Sequence, residues 1–169
     1  MPVLRIPEVV LMQRIQIGEK PALDGLDLHQ EVCGSLVRLW VMDGKSRVGK
    51  LTAVIQENNQ VLLSDVEVKA AVMTRWIPFR RLIAKWYPNI GTTNYRQRGI
   101  GTLLLKTLVT WCSENGFSEV FGTVVQKDLV STPVLLDWYA QHGFEICPPD
   151  HRCLGNTVHL VVWKNKKPV

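Results

Sequence analysis

Tyr95-Arg96-Gln97-Arg98-Gly99-Ile100-Gly101 runs without a break into Thr102-Leu103-Leu104-Leu105-Lys106-Thr107-Leu108-Val109-Thr110-Trp111-Cys112. In the second part Ile100, Leu104, Leu108, Trp111 and Cys112 recur at helical spacing, which predicts a helix with one apolar face. The first part is a short loop with a Gly-Ile-Gly core and two flanking arginines. The opening turn of a helix leaves several backbone N–H groups without intrahelical partners, and the helix dipole adds partial positive charge there. Glycines let a ligand come close to that main chain, so the arrangement suits a phosphate or diphosphate. A basic surface turn ahead of an ordinary amphipathic helix has the same composition. The seven loop residues do not choose between the two.

Upstream, Leu36-Val37-Arg38-Leu39-Trp40-Val41-Met42 predicts a strand, and Asp43-Gly44 is a hairpin signal. Residues 47–55 return as a second strand, Glu57-Asn58-Asn59-Gln60 turns again, and Val61-Leu62-Leu63-Ser64-Asp65-Val66-Glu67-Val68 is a third. Strands joined by short turns predict an antiparallel meander. Earlier, residues 9–17 end in a strand-like alternation, residues 18–21 read as a loop, and residues 23–28 as a short helical turn. Downstream, Gly116 ends the central helix and residues 118–125 form the next strand. A right-handed crossover through the helix then sets residues 61–68 and 118–125 in parallel. Thr132 and Pro133 read as cap and first turn of a second helix. On it Leu135, Trp138, Tyr139 and His142 share a face, and Gly143 ends it. Residues 156–163 form a last strand, followed by a solvated basic tail.

The 169 residues fit one domain with a real core. An apolar fraction of 46% and a charged fraction of 21% are those of a globular protein. No apolar run is long enough to span a bilayer, and residues 1–8 lack a signal-peptide layout. The net charge of +5 suits a polyanionic small ligand, and equally a nucleic acid or an acidic surface. Cys33, Cys112, Cys147 and Cys153 form no Cys-x-x-Cys pair, and the grouping of His142, Cys147, His151 and Cys153 fits no zinc spacing, so no metal site is expected. Scattered free thiols point to a reducing cytoplasm.

Three segments, in the same order along the chain, carry a family resemblance. Arg96-Gln97-Arg98-Gly99-Ile100-Gly101 matches the Q/R-x-x-G-x-G/A loop of the GNAT superfamily of N-acetyltransferases. Residues 63–68 resemble the apolar-x-x-Leu-x-Val strand of that superfamily. Tyr139, Gly143 and Phe144 match its Leu-Tyr-x-x-x-Gly-Phe helix end, with Trp138 where leucine is usual and Thr132 where asparagine is usual. The resemblance covers about residues 36–163. It implies an α/β (α+β) fold with a mixed, mostly antiparallel sheet, a splayed parallel strand pair and flanking helices. It also implies acetyl-CoA as co-substrate, its diphosphate held by residues 96–102 and the coenzyme flanked by Val66, Val68 and Thr132. Two departures stand out. Residues 69–94 intervene between strand and loop, and Thr93 replaces the proline common before the loop.

Acetyl transfer from a thioester to an amine requires a grip on the coenzyme phosphates and an acceptor for the amine proton. It also requires a donor for the oxyanion and a proton for the leaving thiolate. The resemblance makes Tyr139 the acid for the sulfur; on its own it is an amphipathic aromatic on a helix face. A backbone N–H within residues 66–68 is the expected oxyanion donor. Asp65 and Glu67 alternate onto one strand face, and either can accept the amine proton directly or through water. With no Ser or Cys nucleophile beside a base, direct attack is expected. The acceptor is a small-molecule or peptide amine, and the protein a monomer or homodimer. Residues 74–88 interleave arginine and lysine with Trp76, Phe79, Trp86 and Tyr87, and read as core helix, lid, or basic aromatic surface for a nucleic acid or membrane. The rival function is a GNAT-like module that binds acyl-CoA or a nucleic acid without catalysis.

Overall fold

The computed structural model describes residues 13–16, 23, 25–70, 72–73, 92–96, 98–153 and 155–166. The readings of residues 9–12, 17–22, 74–91, Gln97 and 167–169 fall outside these.

Eight strands form one sheet. In chain order they are β1 (Gln13–Gln16), β2 (Leu26–Cys33), β3 (Leu36–Asp43), β4 (Ser46–Gln56), β5 (Gln60–Val68), β8 (Glu119–Val125), β9 (Glu145–Cys147) and β10 (Thr157–Lys164). Their spatial order is β1-β2-β3-β4-β5-β8-β10-β9. Every pairing is antiparallel except β5 with β8, which is parallel as the crossover predicts. The crossover helix is α1 (Ile100–Glu114). Two shorter helices, α2 (Gln126–Ser131) and α3 (Leu135–Gln141), follow β8. Between β5 and α1, β6 (Val72–Met73) pairs antiparallel with β7 (Thr92–Thr93), so the long connection leaves and returns through a short two-stranded stem.

Two expectations are corrected. The helical turn expected over residues 23–28 holds only at Leu23, which lies in 3-10 helix: β2 begins at Leu26, and Leu26, Leu28 and Gln30 alternate inward with period two. Thr132 is not the cap of the second helix. It closes α2, donating its N–H to Asp128 O at 2.8 Å, and α3 starts three residues later with no side-chain cap. The cause is Asp128, whose carboxylate accepts the Val125 N–H at 3.3 Å and nucleates a separate turn of helix. Trp111, expected on the apolar face of α1, is half-buried and packs on the core beside Phe117, and Leu105 joins that face.

The inward face of β2–β5 supplies Leu28, Val37, Leu39, Val41, Leu51, Ala53, Val61 and Leu63, and α1 covers it with Ile100, Leu104, Leu105, Leu108 and Cys112. Each such leucine contributes about 1.5–3 kcal/mol of burial free energy. A smaller cluster of Phe121, Leu160 and Val162 lies apart from this core, with Arg152 over the Phe121 ring and paired to Glu119 and Asp150.

The parallel pair is stapled at one end. The Ser118 N–H and hydroxyl both donate to Asn59 O at 2.9 Å, and Asn59 Nδ2 donates to Gly116 O at 2.6 Å. At the other end the pairing stops. β5 and β8 match from Gln60↔Glu119 to Leu63↔Gly122 and no further, although both strands continue. At that point β5 bulges: Ala53 faces Leu63 but Thr52 faces Asp65, leaving Ser64 as the extra residue. A bulge bends its strand and increases the local twist. Here it turns residues 64–68 away from β8 and opens a cleft between them.

Candidate active site

The cleft has a volume of about 840 Å³ and sits where β5 and β8 part. Its walls are residues 63–68 of β5, Gly122 and Thr123 of β8, the start of α1, and residues of α2 and α3. Of the residues singled out in the sequence, Asp65, Val66, Glu67, Val68, Arg96, Gly99, Ile100, Gly101, Thr102, Thr132 and Tyr139 all line it. Arg98 does not; its guanidinium lies over the Tyr95 ring, 5.3 Å from the centroid. Gln97 is outside the described residues.

At the α1 end of the cleft, Gly99 takes φ +85°, a conformation that side chains with a Cβ rarely adopt, and so lets the chain turn into α1. Leu103 N donates to Gly99 O at 2.9 Å, closing the first helical turn. Ile100, Gly101 and Thr102 therefore sit in the first turn, where N–H groups lack intrahelical acceptors, and among the described residues no side chain caps them. The Arg96 N–H is used internally instead, donating to Asn94 Oδ1 at 2.9 Å. The Thr102 hydroxyl accepts from Trp138 Nε1 at 3.1 Å, tying α1 to α3 across the cleft.

On the β5 wall, the bulge reverses the strand's facing. Val61 and Leu63 point into the core, yet beyond Ser64 it is Val66 and Val68 that turn towards α1. Asp65 and Glu67 oppose Thr52 and Lys50 and so share the face away from α1. The Asp65 carboxylate already holds Lys50 Nζ at 2.9 Å. Glu67 is exposed. Past Leu63, β5 has no ladder partner on its β8 side among the described residues, so the main-chain groups on that edge open into the cleft.

Tyr139 is 8% exposed, packed between Trp138 and Phe144. Its phenol is pushed up to about 12, first by burial and then by the nearby charge of Asp128, which also lines the cleft. The group is thus a neutral donor. The sequence marks Asp128, with His142, only as an outside candidate for the base, and the structure puts Asp128 in the cleft wall; Tyr95 as a buried anchor was missed. Asp128 stood three positions after the end of a strand pattern, the spacing of a helix-capping carboxylate, and that signal was legible.

A family model described as the acetyltransferase (GNAT) family matches residues 90–144. Among solved structures, the chain resembles PaiA N-acetyltransferase from Thermoplasma acidophilum in complex with coenzyme A. That match has a TM-score of 0.52 and 17% identity, over 77% of this chain and 61% of that one. An acetyltransferase of the GNAT family from Staphylococcus aureus Mu50 matches with a TM-score of 0.52 and 15% identity, over 78% and 69%. The ribosomal-protein-S18-alanine N-acetyltransferase of Escherichia coli matches with 0.53 and 12%, over 82% and 74%. No curated protein sequence matches. These likenesses give the chain a GNAT-like fold, with a mostly antiparallel sheet and, among the described residues, one parallel strand pair. Among the described residues, no helix is long and apolar enough to cross a membrane.

Proposed function

We propose that the chain is an N-acetyltransferase that moves an acetyl group from acetyl-CoA to a primary amine by direct attack. The observation that carries this is the coincidence, in one cleft, of the uncapped first turn of α1 and the buried neutral phenol of Tyr139. The diphosphate rests on the N–H groups of residues 100–102, where the helix dipole favours negative charge. The thioester lies along the unpaired edge of β5, where a main-chain N–H within residues 66–68 steadies the oxyanion. Nitrogen bonds to the acetyl carbon, the carbon–sulfur bond breaks, and Tyr139 gives its proton to the sulfur. The amine proton leaves through Glu67 or Asp65, directly or by way of water. The acceptor is a small-molecule or peptide amine, and four unbridged thiols support a reducing compartment such as the cytoplasm.

Acetyl-CoA is expected to raise the melting temperature by binding the folded state. Gly99→Val should abolish that shift, because valine at φ +85° forces the turn to rebuild. Thiol release across a panel of amines then reads catalysis; coenzyme binding without turnover on any amine would leave only a binding module. For the base, Asp65→Asn and Glu67→Gln are compared. Loss of a general base costs on the order of 10²-fold in kcat. Glu67→Gln is expected to show that loss and Asp65→Asn a smaller one, because Lys50 already occupies the Asp65 carboxylate. Equal, near-parental rates for both would remove these carboxylates from the chemistry.

A further inference from the structure

We propose that Tyr95 and Asp43 are positioning residues for coenzyme binding: the tip of the β3–β4 hairpin holds the turn that opens α1. The inference rests on the reading that this turn grips the coenzyme. Tyr95 is 1% exposed, and its hydroxyl donates to Asp43 Oδ2. Asp43 ends β3 at the Asp-Gly turn, 52 positions earlier in the chain. A second link lies five residues on. The same hairpin carries Gly49, and Ile100 packs so closely on it that a Cβ there would stand 2.5 Å from Ile100 Cγ2.

The segment from Tyr95 to Ile100 is therefore clamped at both ends on one hairpin. Between the clamps lie Arg96, Arg98 and Gly99, and the Arg98 guanidinium closes over the Tyr95 ring. Lys69 N also donates to Val48 O at 3.0 Å, joining the end of β5 to the same hairpin tip. Packing alone does not account for a tyrosine here, because phenylalanine fills the same space. A buried hydroxyl is retained only with a partner, and a carboxylate is a strong one. What the bond adds is orientation. A site made of main-chain N–H groups binds tightly when those groups are already in place, since otherwise ordering the loop weakens binding.

The test compares Tyr95→Phe, Asp43→Asn and the double variant in the full chain, measuring the Kd for coenzyme A by calorimetry and steady-state kinetics with acetyl-CoA. Each single variant is expected to weaken coenzyme binding by about tenfold, the size of one hydrogen bond to a charged group. The KM for acetyl-CoA should rise with it, while kcat at saturating acetyl-CoA and the KM for the amine stay within about twofold. The double variant should be no worse than the weaker single one, because both remove the same bond. A lowered melting temperature with Kd unchanged in Tyr95→Phe would overturn the proposal and leave the bond a matter of stability. If the parent chain binds no coenzyme A, the transferase reading falls and this inference falls with it.

Discussion

Tyr139→Phe is expected to lower kcat for acetyl transfer by about 10²–10³-fold, within the range for loss of a positioned general acid, and to leave coenzyme affinity within about twofold. Burial first, and then the charge of Asp128, push the phenol up to about 12 from its ordinary value of 10. Such an acid is mismatched to a thiolate in water, whose conjugate acid lies near 8.5. The mismatch shrinks inside the cleft. Desolvation raises the proton affinity of a leaving thiolate as it does that of the phenol, which brings the two closer. Loss of the hydroxyl leaves the anion unsupported, while the aromatic packing with Trp138 and Phe144 survives in phenylalanine.

The sign of the pH effect follows. The folded phenol holds its proton more tightly than an unfolded one, so its contribution to stability is whole below pH 10 and is lost as pH rises from 10 to about 12. No falling limb of kcat between pH 7 and 9 belongs to this residue. The ultraviolet titration difference between the parent and Tyr139→Phe should show a phenol ionising near pH 12. A difference titrating at 10, or a kcat within threefold of the parent, removes Tyr139 as the acid.

The features that organise this site were unevenly legible. The loop and helix at residues 95–112 could be read because glycine placement and apolar spacing are local signals, as were the Asp43-Gly44 turn and the crossover to β8. The bulge at Ser64 was also written in the sequence. Strict alternation from Val61 and Leu63 would have driven Asp65 and Glu67 into the core, and the polarity change at Ser64-Asp65 marks where the register must slip. β2 was misread because residues 23–28 have leucines at both helical and strand spacing, and only pairing with β3 decides between them. The Tyr95–Asp43 bond and the contact of Ile100 on Gly49 were not legible at all. Each joins residues about 50 positions apart, and nothing local in either partner announces the other.

That last contact sets the second large effect. Gly49→Ala is expected to destabilise the fold by about 2–3 kcal/mol, the upper part of the range for overpacking a core, and to weaken coenzyme binding at least tenfold. The new Cβ would lie 2.5 Å from Ile100 Cγ2 and 3.3 Å from Leu104 Cδ1. Neither neighbour yields easily. Ile100 is 1% and Leu104 0% exposed, and a β-branched residue on a helix has one strongly preferred χ1. The cheaper response is a shift of the first turn of α1 away from β4, which carries the N–H groups of residues 100–102 with it. Stability and coenzyme affinity should therefore fall together, unlike in Tyr139→Phe, where only kcat falls. Chemical denaturation and calorimetry with coenzyme A measure the two effects. Pairing Gly49→Ala with Ile100→Ala supplies the control: removing Cγ2 relieves the clash, so the double variant should bind coenzyme A more tightly than Gly49→Ala alone. If Gly49→Ala loses stability while its coenzyme affinity matches the parent's, the helix start has not moved. In that event the close approach of β4 to α1 serves packing and not the site.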